Sequence, residues 1–104
     1  MNDFKTLLYK GNNFNLKTRK YLKTGNLAVE VYEYFKVPYA TLTVNTPWVL
    51  RENEAFVDIN NWPDAEDFII TFGLGKFTGL AGTFGPYMCE YPLYDFDLGK
   101  LKEY

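Results

Sequence analysis

The sequence predicts a small α+β domain: an antiparallel sheet of about four to five strands with one main helix, residues 62–72, packed on one face. Three observations carry this expectation. Segments 27–35 (LAVEVYEYF) and 39–45 (YATLTVN) alternate apolar and polar residues at the two-residue period of a half-buried strand. Residues 61–73 (NWPDAEDFIITFG) place Ala65, Phe68, Ile69 and Phe72 at i, i+3, i+4 and i+7, one helical stripe. A length of 104 residues fits a single domain over 1–104. Folding at that size buries roughly 65% of the unfolded chain's surface, enough for one core without metals or disulfides.

Taken in order, residues 3–9 (DFKTLLY) read as a weak strand or a short helix, closed by a turn at Gly11-Asn12-Asn13. Residues 14–23 (FNLKTRKYLK) read as a lysine-guarded strand. After a turn at 24–26, segment 27–35 points Leu27, Val29 and Val31 inward. Segment 39–45 points Ala40, Leu42 and Val44 inward, and Tyr39, Thr41, Thr43 and Asn45 outward. A short link holding Pro38 joins the two as an antiparallel hairpin. Residues 48–54 are a loop or bulge. Residues 55–59 resume the alternation, with Phe56 and Asp58 outward.

The helix is expected to start with Asn61 as cap, Asp64 completing a capping box and Pro63 in the first turn. Asp64, Glu66 and Asp67 complement its positive end, and Gly73 stops it. Residues 73–85 hold five glycines in thirteen positions, which reads as a turn-rich loop. Residues 87–96 form the last strand, with Pro92 at a bulge or edge. Asp97 caps a terminal helical turn.

Composition removes several functions. There is no histidine, the usual general base and metal ligand, and the single cysteine excludes an internal disulfide and suits a reducing cytoplasm. No apolar run reaches the ~18 residues needed to span a bilayer. In GLGKFTG the Gly-Lys-Ser/Thr ending of a phosphate loop is missing, and the loop follows a helix instead of opening one. Asp58, Asn60 and Asp64 match three calcium-loop positions, but Pro63 and Ile69 stand where glycine and an acid are required. No catalytic residue, cofactor or metal is therefore expected, and Cys89 reads as a packing residue.

What remains is binding. Nine Tyr, nine Phe and two Trp exceed what one small core needs, and Tyr and Trp recur at binding surfaces. Charge is segregated along the chain. Residues 1–51 hold eight Lys/Arg against three Asp/Glu, and residues 52–104 hold three against ten, +5 and −7. The expected site is an acidic surface with an aromatic centre: Phe56, Asp58, Asn60, Trp62, Asp64, Glu66 and Asp67. It suits a basic protein partner. The alternative is nucleic-acid contact through Lys17, Arg19, Lys20 and Lys23.

Segments 38–45 (PYATLTVN), 55–61 (AFVDINN) and 89–94 (CEYPLY), in that order, resemble the family called domain of unknown function 4313. The likeness runs from about Leu27 onward. It implies small cytoplasmic proteins of conjugative and phage-like mobile elements, and supplies no catalytic residues. Small acidic proteins in that setting are often inhibitors of host nucleic-acid defence, of anti-CRISPR or antirestriction type. The expectation is thus a non-enzymatic inhibitor acting on a protein partner, with an accessory factor of conjugation as the alternative.

Overall fold

Two hydrophobic periods coexist in this chain, and each buries its apolar side against the other. A computed structural model of the chain describes residues 5–104, which form eight strands in two four-stranded antiparallel sheets, with two short helices. The first sheet holds β1 (Leu7–Tyr9), β2 (Asn12–Lys20), β3 (Leu27–Glu33) and β4 (Val37–Thr41) in that order. The second holds β5 (Thr43–Val44), β6 (Glu54–Val57), β8 (Cys89–Phe96) and β7 (Gly75–Phe84), again in spatial order. The fold is α+β, as expected, but its strands divide into two sheets where a single one was anticipated. Of the segment 3–9, residues 7–9 are the strand β1, and residues 3 and 4 lie outside the described chain.

The division occurs within the segment expected to be one strand. At Leu42 the chain leaves the first sheet and enters the second. Leu42 N–H donates to Val29 O at 2.8 Å, while its own carbonyl accepts from Asp58 N–H at 2.8 Å. Thr43, expected to face solvent, is buried; its Oγ1 accepts from Val29 N–H at 3.1 Å and lies 3.1 Å from the Tyr21 hydroxyl. A side-chain oxygen here takes the place of the ladder partner that Val29 loses as the strand turns away. The β3–β4 pairing is the expected hairpin, with a register shift at Val31/Tyr32. Its turn carries Tyr34 and Phe35 at φ 52° and 64°, closed by Lys36 N–H to Glu33 O at 3.1 Å. That is mirror-image turn geometry, met without the usual Asn or Gly.

The helix α1 (Ala65–Thr71) begins three residues later than the expected 62. Asp64 occupies the N-cap without a side-chain capping bond. Asn61 instead donates through its backbone and side-chain nitrogens to Asp58. The helix end is as expected. Gly73, at φ 63°, donates to Ile70 O at 3.2 Å, and Leu74 N–H reaches Ile69 O at 2.9 Å. This is a Schellman motif sealed by buried Leu74. Ala65, Phe68 and Ile69 point into the main core, with Phe72 packed against it. Leu7, Tyr9, Phe14, Val29 and Val31 from the first sheet meet Ala55, Val57, Tyr94 and Phe96 from the second in that same core. At the far end Asp97 caps α2 (Leu98–Leu101) by accepting from Lys100 N–H at 3.0 Å.

The glycine-rich stretch is not a loop. It is the ten-residue strand β7, whose glycines serve clearance and turning. A Cβ on Gly75 would lie 2.9 Å from Asp95 O, and one on Gly82 would lie 2.9 Å from the Phe56 ring. Gly79 takes φ 88° inside a bulge between Phe77 and Ala81. There Thr78 Oγ1 donates to Leu93 O at 2.8 Å and accepts from Leu80 N–H at 3.2 Å, repairing the ladder. Pro92, where a bulge was expected, stands opposite Ala81 at the end of this irregularity.

Thr43→Val keeps shape and raises strand propensity, yet strips the acceptor from the buried Val29 N–H. It is expected to lower unfolding free energy by about 1–3 kcal/mol in urea denaturation, with Thr43→Ser close to the parent.

Candidate functional site

The expected acidic, aromatic-centred surface does not form as a unit, because its apolar members are more stable inside. Trp62 retains 8% of its accessible surface, its ring packed 5.0 Å from Phe68 and 5.5 Å from Tyr39 between centroids. Phe56 does point away from the main core, but into a second cluster with Tyr91 and Leu93. Asp58 is buried, accepting from Asn61 N–H at 3.2 Å and Asn61 Nδ2 at 2.8 Å; it shapes the 58–61 turn. Asn60 is exposed. The three helix carboxylates are tied to other elements: Asp64 to Lys10 at 2.8 Å, Asp67 to the Tyr9 hydroxyl at 2.6 Å, and Glu66 to the Tyr94 hydroxyl at 3.1 Å. They fasten α1 to the strands on either side. Lys10–Asp64 and Lys5–Glu103 also bring basic and acidic halves of the chain together.

Of the four basic residues of the alternative site, Lys17, Arg19 and Lys20 lie on β2. Lys17 lies over the Tyr32 ring at 5.2 Å, and Arg19 pairs with Glu30 at 3.2 Å. Lys20 lies one position on in the strand, and Lys23 sits beyond its end. Arg19 and Lys20 line a cleft with Lys102, Glu52, Leu27 and Leu98. Its volume, about 230 Å³, falls below the usual lower bound of roughly 300 Å³ for small-molecule pockets. No group of three or more Cys, Asp or Glu suited to a metal ion occurs among the described residues, and no helix there is long and apolar enough to cross a membrane.

A different surface emerges from two stretches that carry no charge at all, residues 37–50 and 77–89. Residues 37–41 of the first stretch belong to β4 in the first sheet, but its later part brings Trp48 against Gly82 and Phe84 of the second stretch, on the outer face of the second sheet. Trp48 lies 5.7 Å from Phe56 and 5.6 Å from Phe84, and Phe84 stacks on Tyr91 at 4.5 Å. Gly82 makes room for this: a Cβ there would meet Trp48 Cζ3 at 3.2 Å as well as the Phe56 ring. The chain flanking these residues is apolar and open. Trp48 is 44% exposed, Val49 78%, and in the turn beyond Phe84, Tyr87 is 88% and Met88 66% exposed.

The loop bearing Trp48 is held by two buried side chains: Thr46 Oγ1 donates to Trp48 O at 3.4 Å, and Asn26 makes two bonds. Asn26 Nδ2 donates to Trp48 O at 2.7 Å, and Asn26 Oδ1 accepts from Leu50 N–H at 2.9 Å. Sequence reasoning placed Asn26 in an ordinary turn and residues 48–54 in an unremarked loop. The signal that was there to find is that the chain's first tryptophan, Trp48, falls within one of its charge-free stretches.

Two tyrosines are tuned by the same helix fastenings. Burial, then the hydrogen bond to Asp67, pushes the Tyr9 hydroxyl well above the ordinary phenol value. Burial, then the bond to Glu66, moves Tyr94 up to about 12.

Sequence comparison matches residues 15–104 to the family described as Domain of unknown function (DUF4313). No curated protein and no solved structure matches the chain.

Asn26→Ala is expected to cost about 1–3 kcal/mol and to free the Trp48 loop, seen as faster hydrogen exchange at Leu50. Raised phenol values in the folded state mean that the unfolded chain loses these protons first as pH climbs. The stability they confer is whole below about pH 10 and declines from there toward the Tyr94 value of about 12. Tyr9→Phe and Tyr94→Phe should each flatten that alkaline decline in thermal melts.

Proposed function

We propose that this chain, which belongs to the DUF4313 family, is a non-catalytic domain that binds a protein partner through the Trp48–Tyr87 face. The observation carrying this reading is that Trp48 and Phe84, each from a long stretch without charge, meet in one aromatic cluster on the second sheet. Interface cores are depleted in charged residues, and Trp and Tyr supply much of the energy there. A half-exposed indole backed by Phe56 and Phe84 is already ordered, so little side-chain entropy is lost when a partner covers it. The complementary partner surface is apolar and uncharged.

Within that class, the narrower proposal is a cytoplasmic inhibitor, carried by a mobile element, of a host nucleic-acid defence complex. It rests on the family setting described from sequence. Its acidic contact set is reduced by the bonds that Asp64, Glu66 and Asp67 make to Lys10, Tyr94 and Tyr9. Salt separates the two contact surfaces. Partner capture through the uncharged face should persist at about 1 M salt, where the Debye length is about 3 Å; capture through carboxylates should not.

Affinity capture from nuclease-treated host lysate with the parent and Tyr87→Ala tests the proposal. Tyr87 is nearly fully exposed, so its removal leaves the melt unchanged. Loss of the captured partner by tenfold or more, about 1.4 kcal/mol, is the expected outcome. Equal capture by both proteins would count against this face.

A further inference from the structure

The two sheets have four edge strands, and three of them are poor templates for pairing. β1 has three residues, and β5 has two. β4 carries Pro38 and a register shift against its neighbour. β7 differs: it has ten residues and side chains exposed through most of its length. Its far side pairs with no strand among the described residues. Ten residues extend about 33 Å, a long row of backbone donors and acceptors.

Natural edges are usually defended by proline, by several charges or by shortness. β7 contains no proline, and its single charge, Lys76, lies at one end. Its one protective device is the bulge between Phe77 and Ala81, which leaves a regular run from Ala81 to Phe84 beyond it. We propose that this run is a self-association edge: two copies of the chain pair their β7 strands antiparallel about a twofold axis near residues 81–84, joining two second sheets into one.

The choice of a second copy as occupant follows from charge. An antiparallel twofold pair sets a segment against itself, so any charged residue near the axis confronts its own like. Here residues 77–89 carry none, and a charge-free strand is its own electrostatic complement. The ordered aromatic cluster borders the same run through Gly82 and Phe84. It adds apolar area toward the roughly 1,600 Å² that a stable interface buries.

Sedimentation equilibrium of the full chain tests this. The parent is expected to be dimeric with a dissociation constant of about 100 µM or tighter. The double variant Leu80→Lys with Thr83→Lys should weaken it by tenfold or more, with an unchanged melt because both positions are exposed. In a Cys89→Ser background, single cysteines at 80, 81 and 83 should cross-link to their own counterparts at one or two of these positions. A parent that stays monomeric overturns the proposal. So does a dimer indifferent to the two lysines, or cross-linking spread evenly along the strand. An extended segment of another protein on this edge would appear as the monomeric outcome. Capture of a partner by the Tyr87 face is read separately, with the Leu80→Lys, Thr83→Lys protein as bait.

Discussion

The crossing at Leu42 and Thr43 holds the architecture together. A strand that changes sheets exposes backbone groups in a place water cannot reach, and each must find a partner. Leu42 bridges the sheets with its own amide and carbonyl, and Thr43 supplies a hydroxyl where the ladder ends. With that seam closed, the two sheets can face one core. Phe68 and Ile69 then enter from α1 to fill it, and Phe56 is turned to the opposite side. The aromatic cluster under Trp48 exists because the second sheet has a face of its own to cover.

Much of the local structure was legible from periodicity and punctuation. The apolar stripe of α1, its stop at Gly73, the β3–β4 hairpin and the Asp97 cap follow from short-range rules, and the chain obeys them. The departures share a cause, which is competition from distant residues. Asp64 would close a capping box if Lys10 and the 58–61 turn did not dictate its surroundings. The glycines of β7 read as punctuation, yet Gly75 and Gly82 are small because Asp95 O and the Phe56 ring approach from strands far away in sequence.

The candidate site was less legible than the fold for the same reason. An aromatic residue next to carboxylates looks exposed on paper. Trp62 is drawn inward by Phe14, Tyr39 and Phe68, which come from two other strands and the helix. The carboxylates beside it became fastenings, two of them to phenols. The surface left open instead draws on Trp48 and Tyr87, thirty-nine positions apart in sequence. What lets Trp48 settle on Phe56 is Gly82, a residue whose contribution is the absence of a side chain.

The separate settings of the two indoles give the molecule a built-in pair of optical reporters. Trp62 sits within the main core, while Trp48 rests half in solvent on the second cluster. By that burial alone, emission from the first is expected to be blue and shielded from a dissolved quencher, and from the second further to the red and readily quenched. Events at the outer face therefore register in one component of the spectrum while the interior stays silent. Melting of the core registers in the other.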